Sequence, residues 1–297
     1  MAFIEWLGAT TAPPDDWDGL LGGKGASLER LLRMEAPTPP GFCLTTRAFR
    51  HHLEAGPRSR EVATAISALP DPDARAILDR HLTQEPLAPP IGDDLEQSVL
   101  RLAGENGGEG ARFAVRSSAI GEDGRTASFA GIHETELELT TAEVPAAVRR
   151  CWASLWSERA LQYRSVRQLP LDGSMAVVVQ VLVAADAAAV VFTRHPVTQR
   201  GDQLLVNAVR GLGESLVSGI VTPDEIVLDK ASLALESLTR GDGIGPEAGG
   251  SVLNDQQLRD LAILSLHLEQ QFGRPIDIEA ALAGERWFIL QARPITA

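Results

Sequence analysis

The segment from Met175 to Val183 constrains the fold most, because every residue in it except Gln180 is apolar. A short run this rich in β-branched residues predicts a strand buried on both faces, which requires other elements packed against each side. Elsewhere, segments with helical periodicity alternate with short β-branched runs, and this alternation predicts an α/β (α+β) protein. Gln180 is then a polar side chain in a buried strand, so it needs a hydrogen-bond partner or a nearby ligand.

The same signals predict further elements along the chain. Five more strands are expected, at residues 112–116, 188–193, 203–209, 276–280 and 286–292. The stretch from Glu143 to Tyr163 carries a single apolar helical stripe. A second helix is predicted to begin at an N-cap on Asn254 or Asp255 and to end at Gly273. Residues 55–90 are predicted to be a loose segment around short helical pieces, and residues 104–110 and 241–250 are predicted to be flexible, glycine-rich loops.

Length and charge restrict the function classes. A chain of 297 residues predicts two lobes, which we place at residues 1–183 and 184–297. The formal net charge of −13 opposes binding to nucleic acid or to an anionic membrane, so a phosphate-bearing ligand would need local basic groups. No apolar run is long enough to span a membrane and no leader is evident, which predicts a cytoplasmic protein. The two cysteines and six histidines show no metal-ligand spacing, and buried free thiols are expected.

The sequence Gly22-Gly23-Lys24-Gly25 is the first candidate for binding an anion. It fails as a P-loop, because Gly25 stands where that motif needs Ser or Thr. Nevertheless, glycines allow close backbone approach, and Lys24 precedes a helix predicted to begin near Ala26, which favours phosphate. A solvated surface lysine is the alternative interpretation.

Arg116 is the second candidate, at the predicted exit of strand 112–116. An arginine in such a position can hold phosphate oxygens with two parallel hydrogen bonds, although a structural ion pair is equally compatible with the sequence. A loop of small residues follows it and could donate backbone amides to a polyphosphate. That loop contains Ser128, Phe129, Ala130 and Gly131.

The third candidate is a predicted hairpin at the C-terminal end of the sequence. Alternation places Asp277 and Glu279 on the face opposite the neighbouring isoleucines, and it places Gln291 and Arg293 on one face of the following strand. With Gly284 in the turn, the four side chains converge on one patch. Oxygen ligands beside an arginine suit Mg²⁺ on a nucleotide polyphosphate. The alternative is an edge hairpin with a polar outer face.

In order along the chain, these segments resemble the pyruvate phosphate dikinase and phosphoenolpyruvate synthase family, which also contains the rifampin phosphotransferases. The matching stretches are GGKGASL (22–28), PPGFCLTTRAF (39–49), AVRSSAIGED (114–123), ASFAGIHET (127–135), CWASLWSERALQYR (151–164), VVVQVLV (177–183), VVFTRHP (190–196), GLGESLVSGIVTPDE (211–225), DIE (277–279) and ILQARPIT (289–296). The sequence departs from the family at Ala280, where Trp is usual, and at Ala189, where Gly is usual.

The resemblance implies a two-lobed, ATP-grasp-like nucleotide-binding unit with ATP and Mg²⁺ as cofactors. It implies that Lys24 and Arg116 hold the phosphates beneath the Ser128–Gly131 loop, and that Glu279 and Gln291 hold the metal with Asp277 nearby. It assigns Arg293 to the transferred phosphoryl group. The adenine side would be formed by Gln180, Val181, Leu182 and Val183. Lys24, Arg116 and Arg293 are the catalytic candidates.

The resemblance further implies transfer of the ATP β-phosphoryl group to a histidine, with release of AMP. The swivelling domain that carries this histidine and the acceptor domain are expected on another polypeptide, as in phenylphosphate synthase, or in the remainder of a longer enzyme. A stand-alone kinase or ligase acting on a small molecule and a nucleotide-binding subunit without turnover remain as alternatives.

Overall fold

The computed structural model of the protein describes residues 2–121, 135–217, 219, 221–241 and 251–295. They form two units of mixed helix and sheet, which confirms the predicted class. The first unit comprises Met1–Glu29 and Pro40–Leu182, and the second comprises Arg30–Pro39 and Val183–Ala297. Residues 30–39 therefore group with the C-terminal part of the chain, although they lie within the predicted first lobe.

The first unit is built on a five-stranded antiparallel sheet. Its strands are β1 (Ile4–Trp6), β2 (Gly41–Leu44), β3 (Phe113–Ala119), β4 (Thr135–Leu139) and β5 (Met175–Val181). Their order is β1-β2-β5-β3-β4, so the apolar run that dominates the sequence is the central strand. The helices are α1 (Trp17–Arg33), α2 (Thr46–Glu54), α3 (Ser59–Ser67), α4 (Pro72–Gln84), α5 (Ile91–Glu105), α6 (Val144–Ser154) and α7 (Glu158–Val166).

The two faces of this sheet have different characters. Phe42, Val115 and Val179 occupy one face and belong to a continuous apolar core. In that core the rings of Phe49 on α2 and Trp152 on α6 lie 5.5 Å apart. Because side chains alternate along a strand, the residues between these apolar ones face the other side of the sheet. The core therefore leaves the second face for polar groups.

The predicted single helix at 143–163 is wrong, because α6 ends at Ser154 and α7 begins at Glu158. The Ser157 hydroxyl accepts a hydrogen bond from the amide of Ala160 at 3.3 Å and caps the second helix. An N-cap of this kind needs extended backbone, so it interrupts a stripe that looks continuous in the sequence.

The short helical pieces expected within residues 55–90 are α3 and α4. The Asp71 carboxylate caps α4 by accepting hydrogen bonds from the amides of Asp73 and Ala74, at 2.9 and 3.1 Å. Pro72 at the first helical position fits this start, because its missing amide hydrogen has no partner to lose there.

Among the described residues, the second unit contains a six-stranded antiparallel sheet, the last residues of α1 and two further helices. Its strands are β6 (Ala187–Phe192), β7 (Gln203–Arg210), β8 (Asp224–Asp229), β9 (Leu235–Thr239), β10 (Ile276–Ala283) and β11 (Arg286–Pro294), in the order β11-β10-β6-β7-β8-β9. The helices are α8 (Glu214–Val217) and α9 (Asp255–Phe272). The predicted limits of α9 are confirmed: Asn254 and Gln257 form a reciprocal capping box, and Gly273 ends the helix in the left-handed conformation.

A buried histidine pair lies in the helical layer of the first unit. The rings of His52 on α2 and His81 on α4 stack at 5.0 Å, and the Trp152 ring lies 5.3 Å from His52. His52 Nδ1 accepts a hydrogen bond from the Ala88 amide at 3.2 Å, while Nε2 has no partner among the described residues. Burial lowers the pKa of His52 to about 4, with smaller contributions from His81, Arg149 and His51.

Acid is expected to destabilise the protein through His52. Its pKa is lower in the folded state than the ordinary value of 6.5, so between these two values the unfolded chain binds more protons. The contribution of neutral His52 is complete above pH 6.5 and is lost as the pH falls towards 4. The free energy of unfolding is measured in urea at pH 7 and at pH 4.5. Between these pH values it should fall by about 2 kcal/mol less in His52→Gln than in wild type. Equal losses in His52→Gln and in wild type would contradict the assignment.

Candidate nucleotide site

The Lys24 segment lies at a break within α1. Gly22 has φ 70° and ψ 179°, which interrupts the helix, and helical geometry resumes at Gly23. The predicted start near Ala26 is therefore wrong, and Lys24 lies in the first turn of the resumed helix. The helix begins earlier than predicted because Gly22 adopts the extended ψ typical of a residue that precedes a helix.

Gly22 is a position where only glycine fits. A Cβ atom there would lie 2.0 Å from the backbone oxygen of Ser118 on β3, and the positive φ would strain any other residue. Gly25 is nearly as confined, because its Cβ would meet Leu21 at 2.9 Å and Cys43 Sγ at 3.3 Å. The glycines of this motif thus allow α1 to pack directly against the sheet.

A serine on β3 fixes this contact. The Ser118 hydroxyl donates to the Leu21 carbonyl at 2.7 Å and accepts from the Gly25 amide at 3.0 Å. Arg116 lies two residues earlier on the same strand and therefore on the same face. Its side chain is largely buried, and β3 continues to Ala119, so the predicted location of Arg116 at the strand exit is wrong. The strand extends further because Ser117 and Ala119 still pair with β5.

Gln180 lies on the same face as Arg116. In the ladder between β3 and β5, Arg116 is opposite Val178 and Ala114 is opposite Gln180, which gives these residues a common side. Gln180 is buried, and a Cβ on Gly41 would come within 2.8 Å of its Cγ atom. The Gln180 side chain is therefore enclosed by neighbouring strands.

The predicted adenine-side residues span the end of β5, which includes Gln180 and Val181. The Val181 amide donates to the Pro40 carbonyl at 3.0 Å, and the Leu182 amide donates to the Arg112 carbonyl at 2.8 Å. These two amides are used within the first unit and are not available to a base in this conformation. Val183 begins the second unit. The residues Ser128, Phe129, Ala130 and Gly131 lie outside the described part of the chain.

The C-terminal hairpin is confirmed, and its register brings the four predicted side chains together. Asp277 is opposite Arg293, and Glu279 is opposite Gln291. Arg293 Nε lies 3.0 and 2.9 Å from the two carboxylate oxygens of Asp277. Ile276 and Ile278 are fully buried on the other face, as alternation requires. The hairpin therefore presents one ion pair and one carboxylate–amide pair side by side.

A bulge separates this polar patch from the turn of the hairpin. Ala280 pairs with Ile289 while Glu279 pairs with Gln291, so β11 carries one extra residue, Leu290, at this point. Such an extra residue resets the alternation of one strand relative to the other. Gly284 in the turn has φ 62°, in agreement with its predicted place.

The sheet extends the polar patch to residues that the sequence analysis missed. Glu279 is opposite Val190 on β6, Val190 is opposite Asn207 on β7, and Asn207 is opposite Glu225 on β8. The Oδ1 atom of Asn207 is buried without a hydrogen-bond partner in the described structure. Its signal in the sequence is a lone amide within the apolar run 204–209, the same signal that drew attention to Gln180.

The two departures from the family pattern occupy one place in the structure. Ala280 on β10 and Ala189 on β6 are direct cross-strand partners, and both are buried. They follow Glu279 and precede Val190, so alternation directs them to the face opposite the polar patch. The alanines at positions 280 and 189 therefore change the packing of one shared site on the face opposite the polar patch.

The oxygen atoms of the hairpin side chains suit a metal ion that is also bound by a nucleotide. Within the described residues, no group of three or more His, Cys, Asp or Glu side chains is placed to hold a metal ion. Mg²⁺ in nucleotide sites is usually held by one or two protein oxygen ligands, with phosphate and water completing its shell. Glu279 and Gln291 match that requirement.

Comparison with known proteins gives the family. Residues 18–297 match the family model described as pyruvate phosphate dikinase, AMP/ATP-binding domain. The chain belongs to this family, and it is an AMP/ATP-binding domain of the pyruvate phosphate dikinase type.

Its relatives include the prodigiosin synthesizing transferase PigC of Serratia marcescens, which is 39% identical over 99% of this chain and 33% of the relative. A rifampicin phosphotransferase from a Streptomyces species is 37% identical over 93% of the chain and 34% of the relative. The phosphoenolpyruvate synthase of Pyrococcus furiosus is 31% identical over 99% of the chain and 44% of the relative. The chain thus spans less than half the length of each of these relatives.

Among solved structures, the D-alanyl-alanine synthetase A of Vibrio cholerae matches with a TM-score of 0.38 and 11% identity, over 92% of this chain and 55% of that chain. At that score the likeness does not bear on the family assignment. Within the described residues, no helix combines the length and apolar character needed to cross a bilayer.

The glycine break in α1 gives a test of the packing beneath Lys24. Gly22→Ala should destabilise the protein by at least about 2 kcal/mol, because it adds backbone strain and a clash with the Ser118 carbonyl. Gly19→Ala, in the same helix but with no atom within 4 Å of its Cβ, should stabilise by about 0.5 kcal/mol or more. Urea unfolding of both variants gives the comparison. Equal effects would show that α1 is not held against the sheet at Gly22.

Proposed function

We propose that this protein is the ATP-binding module of a phosphoenolpyruvate-synthase-like phosphotransferase with an ATP-grasp-like mode of nucleotide binding. It takes ATP with Mg²⁺ and presents the β-phosphoryl group to a histidine on a swivelling domain, releasing AMP. That histidine and the final acceptor lie on another domain or subunit. The observation that carries the proposal is the match of residues 18–297 to an AMP/ATP-binding domain.

The polar face of the first unit supports a phosphate-binding role. The chain carries a net charge of −13, so a polyphosphate gains nothing from the overall field and depends on local cations. Lys24 lies in a glycine-rich first turn of a helix, where amide groups and the helix dipole favour an anion. Arg116 lies on the face against which that turn is packed. We assign these two residues to the phosphates of ATP.

The hairpin supports the metal and transfer roles. We assign Glu279 and Gln291 as the protein ligands of Mg²⁺, which neutralises polyphosphate charge when it is bound. Asp277 holds Arg293 through both carboxylate oxygens, and this contact orients the guanidinium. We assign Arg293 to the phosphoryl group that is transferred, where a fixed cation stabilises the charge spread over its oxygens.

The reaction in this proposal is a phosphoryl transfer without covalent participation of the module. The acceptor histidine nitrogen forms a bond to the β-phosphorus, the bond from that phosphorus to the oxygen shared with the α-phosphate breaks, and AMP leaves. The γ-phosphoryl group passes to water or to phosphate. Chemistry of this kind depends on positioning and charge neutralisation, which Lys24, Arg116 and Arg293 provide.

The first test separates this transfer from direct kinase activity. Incubated alone with MgATP, the protein should consume little nucleotide, because in this proposal the acceptor histidine lies on another domain or subunit. Addition of a purified swivelling domain of the family should produce AMP and an acid-labile phosphohistidine. The products are measured by nucleotide chromatography, and a swivelling domain with its histidine replaced by alanine is the control. Rapid ADP formation by the protein alone with a small molecule would instead indicate a stand-alone kinase.

The second test concerns the hairpin. Glu279→Ala should lower MgATP affinity at least about tenfold, because the metal loses a charged ligand. The apo melting temperature should change little, since alternation directs Glu279 away from the buried isoleucines. Calorimetric titration with MgATP gives the affinity. Glu285→Ala, an exposed carboxylate in the hairpin turn, is the matched control and should bind as wild type does. Unchanged affinity in Glu279→Ala would remove this residue from the site.

A further inference from the structure

The break in α1 creates unsatisfied backbone groups next to Lys24. One helical stretch ends at Leu21, Gly22 is non-helical, and a new stretch begins at Gly23. The carbonyls at the end of the first stretch and the amides at the start of the second lack partners within the helix. In most proteins the residue before a helix supplies an oxygen to the amide two or three positions later. Gly22 has no side chain that can do this.

Ser118 supplies both missing partners from the neighbouring strand. Its hydroxyl accepts from the amide of Gly25, which is three positions after Gly22, and donates to the carbonyl of Leu21. This serine lies 93 residues from Gly25 in the sequence and has no exposed surface. Its hydroxyl therefore takes the place of an N-cap side chain for the helical stretch that begins at Gly23. It also satisfies the carbonyl of Leu21, where the preceding stretch ends.

The surroundings of this hydroxyl allow little adjustment. Leu21 O also lies 3.6 Å from Cys43 Sγ, a long and weak contact. Burial, with a smaller contribution from the Glu5 carboxylate, raises the pKa of the Cys43 thiol far above its usual range, so the thiol stays protonated. Gly22 meanwhile contacts the backbone oxygen of Ser118 itself. The turn thus contacts both the side chain and the backbone of Ser118 on β3.

We propose that Ser118 is a positioning residue for phosphate binding, which acts by fixing Lys24 relative to Arg116. Ser118 and Arg116 are two residues apart on one face of β3, a separation of about 6.7 Å along the strand. By capping the turn on either side of Lys24, Ser118 sets the distance between the two cations. The proposal rests on the proposed function, since it assumes that Lys24 and Arg116 hold the phosphates of ATP.

Two adjacent serines allow a matched comparison. Ser117 is as deeply buried as Ser118, but its hydroxyl has no hydrogen-bond partner among the described residues. Ser118→Ala should weaken MgATP binding about 5- to 20-fold, whereas Ser117→Ala should leave it unchanged. Should Ser118→Ala fail to fold, Ser118→Cys, which retains a weak donor and acceptor, replaces it and is compared with Ser117→Cys. Equal affinity of the two members of a pair would overturn the proposal.

A double-mutant cycle distinguishes positioning from a general loss of structure. If Ser118 acts through Lys24, the effect of Ser118→Ala on MgATP affinity should disappear in the Lys24→Ala background. Calorimetry of the four proteins measures the coupling. Additive losses would mean that Ser118 supports the fold without positioning Lys24, and the proposal would fail.

Hydrogen exchange of the Gly25 amide gives a readout that does not need nucleotide. Ser118→Ala should speed this exchange roughly tenfold relative to wild type and to Ser117→Ala, because the amide loses its acceptor. Unchanged exchange would show that the serine does not hold the turn. If wild type binds no MgATP, the proposed function fails, while the exchange measurement still decides whether Ser118 fixes the Lys24 turn.

Discussion

Much of the first unit depends on the burial of a strand that is not apolar. β3 is buried along its whole length and yet includes Arg116, Ser117 and Ser118. Buried polar groups are costly unless they are hydrogen-bonded, so their neighbours must be arranged around them. The break in α1 satisfies this requirement for Ser118, and it brings the glycine-rich turn onto the sheet. The same face also carries Gln180, because β3 and β5 are paired in fixed register.

In the second unit, the polar groups on the sheet are satisfied by an ion pair instead of by hydroxyl groups. Its hairpin keeps Asp277 and Arg293 in mutual contact, so neither charge is buried alone. An ion pair held through two oxygens also restricts the arginine to one orientation, which lowers the entropy lost when it meets an anion. Glu279 and Gln291 lie beside it and offer a carboxylate oxygen and an amide oxygen. Stability and the proposed binding role therefore depend on the same strand pairing.

The sequence predicts best where local signals and tertiary packing agree. The central strand, the hairpin, the limits of α9 and the two buried thiols outside any disulfide follow from apolar patterns and local capping residues. The break at 155–157 and the true start of the helix after Gly22 were missed for different reasons. Ser157 competes with a continuous apolar stripe, and the cap of the Gly22 helix comes from a serine far along the chain. No local pattern contains that second signal, and the roles of the site residues remain predictions.

The register shift at Leu290 has a consequence for how this hairpin tolerates change. Because the strands are offset at that residue, the segment between the turn and the bulge forms a separate register from the segment that holds Asp277 and Arg293. The arm next to the turn is itself held, because residues 280–282 pair with β6. The turn at Gly284 is exposed, so it is the site where evolution, or an engineer inserting a label, can alter length without moving the ion pair.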